Sequence, residues 1–215
     1  SGADVDNFDM ETPAIAPAYD PAKCLDRLGK LTASKAAVIM GKLDTSGLAT
    51  YVKALAWERV YGARDEEYKS DAMQRGNDLE PSALDWYEFE TAATLTRTPG
   101  FMQHPAIPYV GASPDALRDG MTVQAKCPGH GAWMEVMRTR EIPSEYRWQC
   151  RWEPWVAGVS RCEFFVWHPA AGGIIVPGIV TPEECEQMAE RASVVDAMVQ
   201  KWVAILTDTT GRLAA

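Results

Sequence analysis

Two neighbouring segments carry residues suited to phosphate chemistry. Asp115 follows Pro114, and Gln124 and Lys126 come after eight intervening residues. Side chains alternate along a strand, so Gln124 and Lys126 project from one side if this run is extended. A carboxylate and a second oxygen ligand suit Mg²⁺, which activates a water and neutralises phosphate charge, while a lysine stabilises the transition state. The pattern indicates phosphodiester hydrolysis, although an ordinary solvated hairpin would show the same residues.

The elements that must position these residues are two short strands and a turn. Residues 109–113 are extended in character, and Pro114 excludes a helix there. Asp119-Gly120 is a strong hairpin dipeptide. Apolar and polar residues then alternate from 121 to 127, which is typical of a half-buried strand. We therefore expect a hairpin whose first strand ends at Asp115, beside the polar face of the second.

Composition restricts the class of protein. The 215 residues suit one α/β or α+β domain. A net charge of −9 argues against wholesale coating of nucleic acid but allows basic residues that line one concave surface. Five widely spaced cysteines without a CxxC pair indicate neither a zinc site nor a disulfide framework, and favour a reduced, cytoplasmic protein. No apolar run approaches the roughly 20 residues of a membrane span, so no membrane partner is expected.

The chain divides into a body and two tails. Residues 1–20 are acidic and rich in Pro and Ala, which predicts a flexible tail rather than a signal peptide. Residues 21–206 form the predicted single domain, and residues 207–215 a polar C-terminal tail. Helices are expected at 22–28, 35–40 (capped by Thr32 or Ser34), 48–61 (closed by Gly62), 70–93 (kinked or divided at Pro81), 130–139 and 144–156 (ended by Gly158). The last helix is expected from Thr181, where residues 181–184 form a capping box. Strands are expected at 162–168 and 173–180. This order favours a central mixed β-sheet flanked by helices.

Four blocks of the sequence together resemble the lambda-exonuclease/YqaJ-like family of viral recombination nucleases, in the PD-(D/E)xK superfamily. The resemblance covers roughly residues 22–170 and implies a restriction-endonuclease-like α/β (α+β) core. The blocks occur in the expected order: RLGKLTAS (27–34), MQRGNDLEPSALDWYE (73–88), the segment 111–128, and EYRWQCRWEPWVAG (145–158).

The resemblance implies a metal site on the hairpin. Asp115 corresponds to the metal-binding aspartate, Gln124 occupies the position of the metal-binding glutamate, and the carbonyl of Ala125 completes the metal shell. Lys126 corresponds to the catalytic lysine. The implied cofactor is Mg²⁺, for which Mn²⁺ can substitute.

Four further positions receive roles from the resemblance. Glu80 corresponds to a helical acidic residue that assists the metal, and Gln149 to a glutamine that faces the active site. Arg27 and Ser34 correspond to the pair that receives a terminal 5′-phosphate. Beyond the family pattern, a helix start with a free hydroxyl and a nearby arginine is a suitable phosphate site, although a plain capped helix accounts for the same residues.

The family activity is 5′→3′ digestion of one strand of linear duplex DNA, which leaves a 3′ overhang. Members are often homotrimers, and their usual partner is a single-strand annealing protein. The family has Glu or Asp where this chain has Gln124, which leaves three hypotheses. The chain is an exonuclease impaired by Gln124, an endonuclease of the same fold, or a non-catalytic DNA-binding relative in which Gln124 is natural. The expected location is the cytoplasm of a bacterial or phage-infected cell.

Overall fold

The helices and strands are those of a computed structural model, which describes residues 27–63, 71–97 and 100–213. Both the expected tail at 1–20 and most of the first expected helix lie outside the described residues. The strands in the described part are β1 (Leu31–Thr32), β2 (Thr96–Arg97), β3 (Met102–Gln103), β4 (Val110–Ala112), β5 (Ala116–Arg118), β6 (Met121–Lys126), β7 (Arg161–His168) and β8 (Gly172–Ile179). Its helices are α1 (Ala36–Ile39), α2 (Ser46–Tyr61), α3 (Asp71–Thr91), α4 (His130–Thr139), α5 (Ser144–Arg147), α6 (Gln149–Ala157) and α7 (Pro182–Leu213), with a 3-10 turn at Ala33–Lys35.

The strands of the described residues form two sheets. Five strands pair in the order β2-β5-β6-β7-β8, and three pair in the order β1-β4-β3. The pairs β6–β7 and β1–β4 are parallel and the others antiparallel, so both sheets are mixed. Two parallel strands need a long crossover, and helices α4, α5 and α6 supply it between β6 and β7. This arrangement confirms the predicted mixed sheet flanked by helices.

The predicted turn is present, but its first strand is not the one expected. Asp119 and Gly120 both have positive φ, 42° and 74°, as a two-residue hairpin turn requires. They join β5 to β6. The segment 109–113, predicted as the first strand of this hairpin, instead contributes β4 to the three-stranded sheet. Pro114 interrupts the extended chain at this point, which lets β4 and β5 enter different sheets.

Strand β6 is buried on both faces, whereas its alternation predicted one solvated face. Residues 121–125 are all buried, and Gln124 is only 1% exposed. Helix α3 covers Val123 and Ala125 through an apolar cluster. On the other side, Gln149 at the start of α6 hydrogen-bonds Gln124. The polar side chain of Gln124 is therefore enclosed where α6 packs on the sheet.

Helix α7 begins at the predicted capping box. Thr181 Oγ1 accepts from the backbone N–H of Glu184 at 3.2 Å, and Glu184 Oε2 accepts from the backbone N–H of Thr181 at 3.1 Å. The apolar stripe of this helix packs against α2, with Met188, Ala192 and Val195 fully buried. The helix extends to Leu213, so it includes most of the segment expected to be a polar tail.

Three predicted helices differ in detail. Helix α3 runs continuously through Pro81. The helix predicted at 144–156 is divided at Trp148 into α5 and α6. Thr32 lies in β1 and its side chain makes no capping hydrogen bond, and the residue that precedes α1 is Lys35. The predicted cap of the helix at 35–40 by Thr32 or Ser34 is therefore wrong. Among the described helices, none combines the length and apolar character needed to cross a membrane.

Candidate active site

The β5–β6 hairpin brings the predicted metal-site residues together. Asp115 directly precedes β5, and its Oδ2 accepts the backbone N–H of Ala125 at 2.8 Å. Gln124 Nε2 donates to the same carboxylate oxygen. This nitrogen also lies 3.4 Å from the carbonyl oxygen of Ala125. The Asp115 carboxylate, the Ala125 carbonyl and the Gln124 amide therefore converge on one point.

Gln149 connects this point to helix α6. Its Nε2 donates to Gln124 Oε1 at 2.6 Å and to Glu153 Oε1 at 2.9 Å. Glu153 lies one helical turn after Gln149 and is fully buried. Glu153 is not among the predicted site residues, although its i, i+4 spacing from Gln149 is a signal that places both side chains on one helix face.

Lys126 and Glu80 lie beside the same cluster. Burial raises the pKa of Glu80, and the charge of Lys126 opposes that shift. Burial also raises the pKa of Asp115 to about 6, with Lys126 opposing the shift and Glu80 adding to it. The Lys126 ammonium stands 5.4 Å from the centre of the Tyr146 ring. Helix α3, strand β6 and the residue before β5 thus bring one lysine and two carboxyl groups into electrostatic contact.

Glu153 is the most deeply buried acid of the cluster. Burial raises its pKa well above the usual value, and the negative charge of Asp115 adds to that effect. Its Oε2 has no hydrogen-bond partner among the described residues. A buried ionised carboxylate with so few partners is costly, so the neutral acid is favoured here.

The predicted phosphate residues lie near the other sheet. Ser34 is exposed in the 3-10 turn after β1, and its Oγ is 3.4 Å from Thr32 Oγ1. The Tyr51 hydroxyl accepts from the backbone N–H of Thr32 and donates to the carbonyl of Lys30. Arg27 is close enough for its charge to lower the pKa of Tyr51 against the larger effect of burial, and its buried Nε has no partner among the described residues.

The hydrogen bonds of the Asp115 cluster do not include Arg27 or Ser34. The link between the two places is structural, because β1 pairs in parallel with β4, and the chain runs from β4 through Pro114 to Asp115. The structure therefore brings Asp115, Gln124, Ala125 and Gln149 together by hydrogen bonds, with Lys126 and Glu80 beside them. It places Arg27 before β1 and Ser34 in the 3-10 turn after β1.

The ligand atoms at the hairpin are of the types that suit a hard cation, but their negative charge is too low. Carboxylate, main-chain carbonyl and amide oxygens are ligands that Mg²⁺ accepts. As oriented, however, Gln124 turns its N–H group and not its oxygen toward Asp115. Within residues 27–63, 71–97 and 100–213, no group of three or more His, Cys, Asp or Glu residues is arranged to hold a metal. To bind a cation here, the Gln124 amide would have to rotate so that its oxygen faces the ion. The site would also carry one negative charge fewer than it would with glutamate at position 124.

A mixed sheet flanked by helices, with Asp, Gln and Lys on one hairpin, defines a PD-(D/E)xK nuclease fold. The family pattern of the YqaJ-like viral recombinase domain matches residues 25–160, and the chain belongs to that family. This membership supports a DNA exonuclease function. A comparison with curated protein sequences finds no significant match.

Solved structures show the same relationship. The alkaline exonuclease LHK-Exo from Laribacter hongkongensis is 26% identical, with a TM-score of 0.79 over 87% of this chain and 96% of that chain. LHK-Exo in complex with dAMP is 27% identical, with a TM-score of 0.80 over 88% of this chain and 97% of that one. A phage-related exonuclease from Haemophilus somnus 129PT shares the fold at 14% identity, with a TM-score of 0.63 over 84% of this chain and 96% of that chain.

Proposed function

We propose that this protein is a Mg²⁺-dependent 5′→3′ exonuclease of linear double-stranded DNA, and that Gln124 impairs the present chain. The observation that carries the proposal is the convergence of Asp115, Gln124 and the Ala125 carbonyl on one point of the β5–β6 hairpin, next to Lys126. The digestion leaves 3′ overhangs suited to recombination by single-strand annealing.

Each residue of the cluster has a role in this proposal. Asp115, position 124 and the Ala125 carbonyl would hold the Mg²⁺ ion, which supplies an activated water and charge neutralisation. Lys126 stabilises negative charge that develops on the scissile phosphate. Glu80 adds negative charge beside the metal site, and Gln149 orients the side chain at position 124.

The phosphorylated end of the substrate is assigned to two residues that flank β1, the first strand of the smaller sheet. Arg27 and Ser34 receive the terminal 5′-phosphate, because a guanidinium and a hydroxyl both donate to phosphate oxygens. The structure of the similar protein LHK-Exo has been solved in complex with dAMP, and we propose that this chain also acts on nucleic acid. We also propose a homotrimer, a single-strand annealing protein as partner, and action in the cytoplasm of a bacterial or phage-infected cell.

The deciding experiment compares this chain with its Gln124→Glu variant on linear duplex DNA at matched protein and Mg²⁺. A carboxylate contributes a full charge to the metal where an amide contributes a dipole. We expect cleavage to rise by roughly 10² or more, the usual effect of one key electrostatic group. Equal rates would contradict the assignment of position 124. Closed circular DNA is the control, because an endonuclease would cut it and an exonuclease would not.

One observation favours a second candidate, a non-catalytic DNA-binding relative. The Gln124 amide nitrogen already lies between the Asp115 carboxylate and the Ala125 carbonyl, where it satisfies both oxygens without a cation. On this alternative, the Gln124→Glu variant would leave cleavage absent while both versions bind DNA.

A further inference from the structure

The starting observation is a buried acid that the proposed reaction does not use. Glu153 is fully buried in α6, and its one described hydrogen bond is accepted from Gln149 Nε2. The same nitrogen donates its other N–H to Gln124 Oε1. Both N–H bonds of the Gln149 amide are thereby used, one toward Glu153 and one toward position 124.

This arrangement removes the rotational freedom of Gln149. An isolated glutamine amide can present either its oxygen or its nitrogen to a neighbour. With Glu153 Oε1 as an acceptor, Gln149 turns its nitrogen toward Glu153, and the second N–H of that nitrogen is then directed at position 124. A neutral Glu153 serves as well as a carboxylate when its proton is on Oε2, which has no partner among the described residues, because Oε1 then remains an acceptor.

The orientation of the Gln149 amide determines the orientation of the side chain at position 124. Because Gln149 presents a donor, Gln124 must offer its oxygen to Gln149, and its nitrogen is then directed at Asp115. A glutamate at position 124 would accept the same hydrogen bond with one carboxylate oxygen and leave the other free beside Asp115. The Gln149–Glu153 pair is thus matched to an acceptor at position 124, whether amide or carboxylate.

We propose that Glu153 is a positioning residue, whose carboxyl group fixes the Gln149 amide and through it sets the orientation of the side chain at position 124. The proposal rests on the proposed function for its catalytic consequence. The positioning itself does not depend on any reaction, because the hydrogen bonds that produce it join side chains of this chain alone.

The first test needs neither metal nor activity. In ¹⁵N-labelled, metal-free protein, we expect a nuclear Overhauser effect between the side-chain NH₂ protons of Gln149 and the side chain of Glu153. Gln124→Glu identifies the Gln124 amide signals by removing them. Glu153→Met, which lacks an acceptor, should shift the Gln149 signals toward solvent-averaged values, and Glu153→Gln should leave them in place. Absence of the Overhauser effect in the unmodified protein overturns the proposal, even if Glu153→Met fails to fold.

The second test measures kinetics in the Gln124→Glu background. Orienting partners of metal ligands typically contribute 10–100-fold to activity, so Glu153→Met should lower kcat about 10-fold or more with KM for DNA ends unchanged. Glu153→Gln should restore kcat, because its amide oxygen accepts from Gln149 as the carboxyl group does. Glu163→Gln is the matched control, a partly buried carboxylate that hydrogen-bonds Tyr87.

The outcomes distinguish failure of the positioning role of Glu153 from failure of the proposed exonuclease function. A folded Glu153→Met variant with unchanged kcat, or a Glu153→Gln variant as slow as Glu153→Met, overturns the positioning role. If no version cleaves DNA, the proposed function fails, and the metal-free spectra still decide whether Glu153 fixes Gln149.

Discussion

Nε2 of Gln149 lies 2.6 Å from Oε1 of Gln124, so the first residue of helix α6 holds a polar side chain of strand β6. The contact joins two residues that are 25 positions apart in the chain. It explains why Gln124 is almost fully buried although the alternation of β6 predicted an exposed polar face.

Asp115 should be required for metal-dependent cleavage. In the Gln124→Glu background, we expect Asp115→Asn to reduce cleavage to the uncatalysed level, because the amide removes a charge from the cation site. The matched control is Asp119→Asn, in the exposed hairpin turn, where Asn tolerates the positive φ. Chelation should abolish cleavage and added Mn²⁺ restore it. Cleavage that persists in chelator would contradict the metal mechanism.

Preference for a phosphorylated end should depend on Arg27. A hydrogen bond to a charged group contributes about 1.5–3 kcal/mol. Arg27→Ala should therefore lower the ratio of rates on 5′-phosphate and 5′-hydroxyl ends roughly 10-fold or more, while general duplex binding changes less. The control is Arg138→Ala, an exposed arginine on α4. Equal rates on both ends with Arg27 intact would refute the assignment.

The contribution of Asp115 to the stability of the metal-free protein should fall as pH rises toward 6. The pKa of Asp115 is raised to about 6 in the folded chain, from an ordinary aspartate value of 3.8, mainly by burial. Between these values the folded state binds more protons at Asp115 than the unfolded state does, so the contribution of this group to the free energy of unfolding decreases with pH. Asp115→Asn should flatten this dependence in urea unfolding measured in chelator from about pH 4 to 7, a range that spans both pKa values. Parallel curves for both proteins would show that Asp115 keeps its ordinary pKa.

The protein should be a trimer in solution. A closed ring can confine positive potential to its interior while the outside of a chain with net charge −9 remains acidic. Light scattering after size exclusion should give about three times the chain mass of 23.7 kDa. A single-chain mass at micromolar concentration would contradict the ring.

Local signals in the sequence predicted much of the scaffold. The Asp119-Gly120 turn and the capping box at Thr181 determine their own backbone geometry, and both are present as expected. The helix ends at Gly62 and Gly158 are also correct, since each adopts the left-handed conformation of a C-cap.

Long-range packing could not be predicted from local pattern. The alternation of β6 does not reveal that α3 and α6 cover both of its faces, so it gives no sign that Gln124 is buried. Nothing local to residues 109–113 indicates that β4 pairs with β1, which lies almost 80 residues earlier in the chain, and the nearby hairpin turn is the stronger local signal. Glu153 escapes prediction because an acidic residue on a helix is usually solvated, and only the tertiary structure encloses it.

The contribution of Ala125 to the cluster is made entirely by its backbone, through an N–H that donates to Asp115 and a carbonyl beside Gln124. Deep mutational scanning would therefore report position 125 only as a limit on side-chain size, since the residue is 5% exposed and replacement of its methyl group removes neither atom. Detecting this contribution requires a change in the backbone itself, such as an amide-to-ester substitution introduced by chemical synthesis.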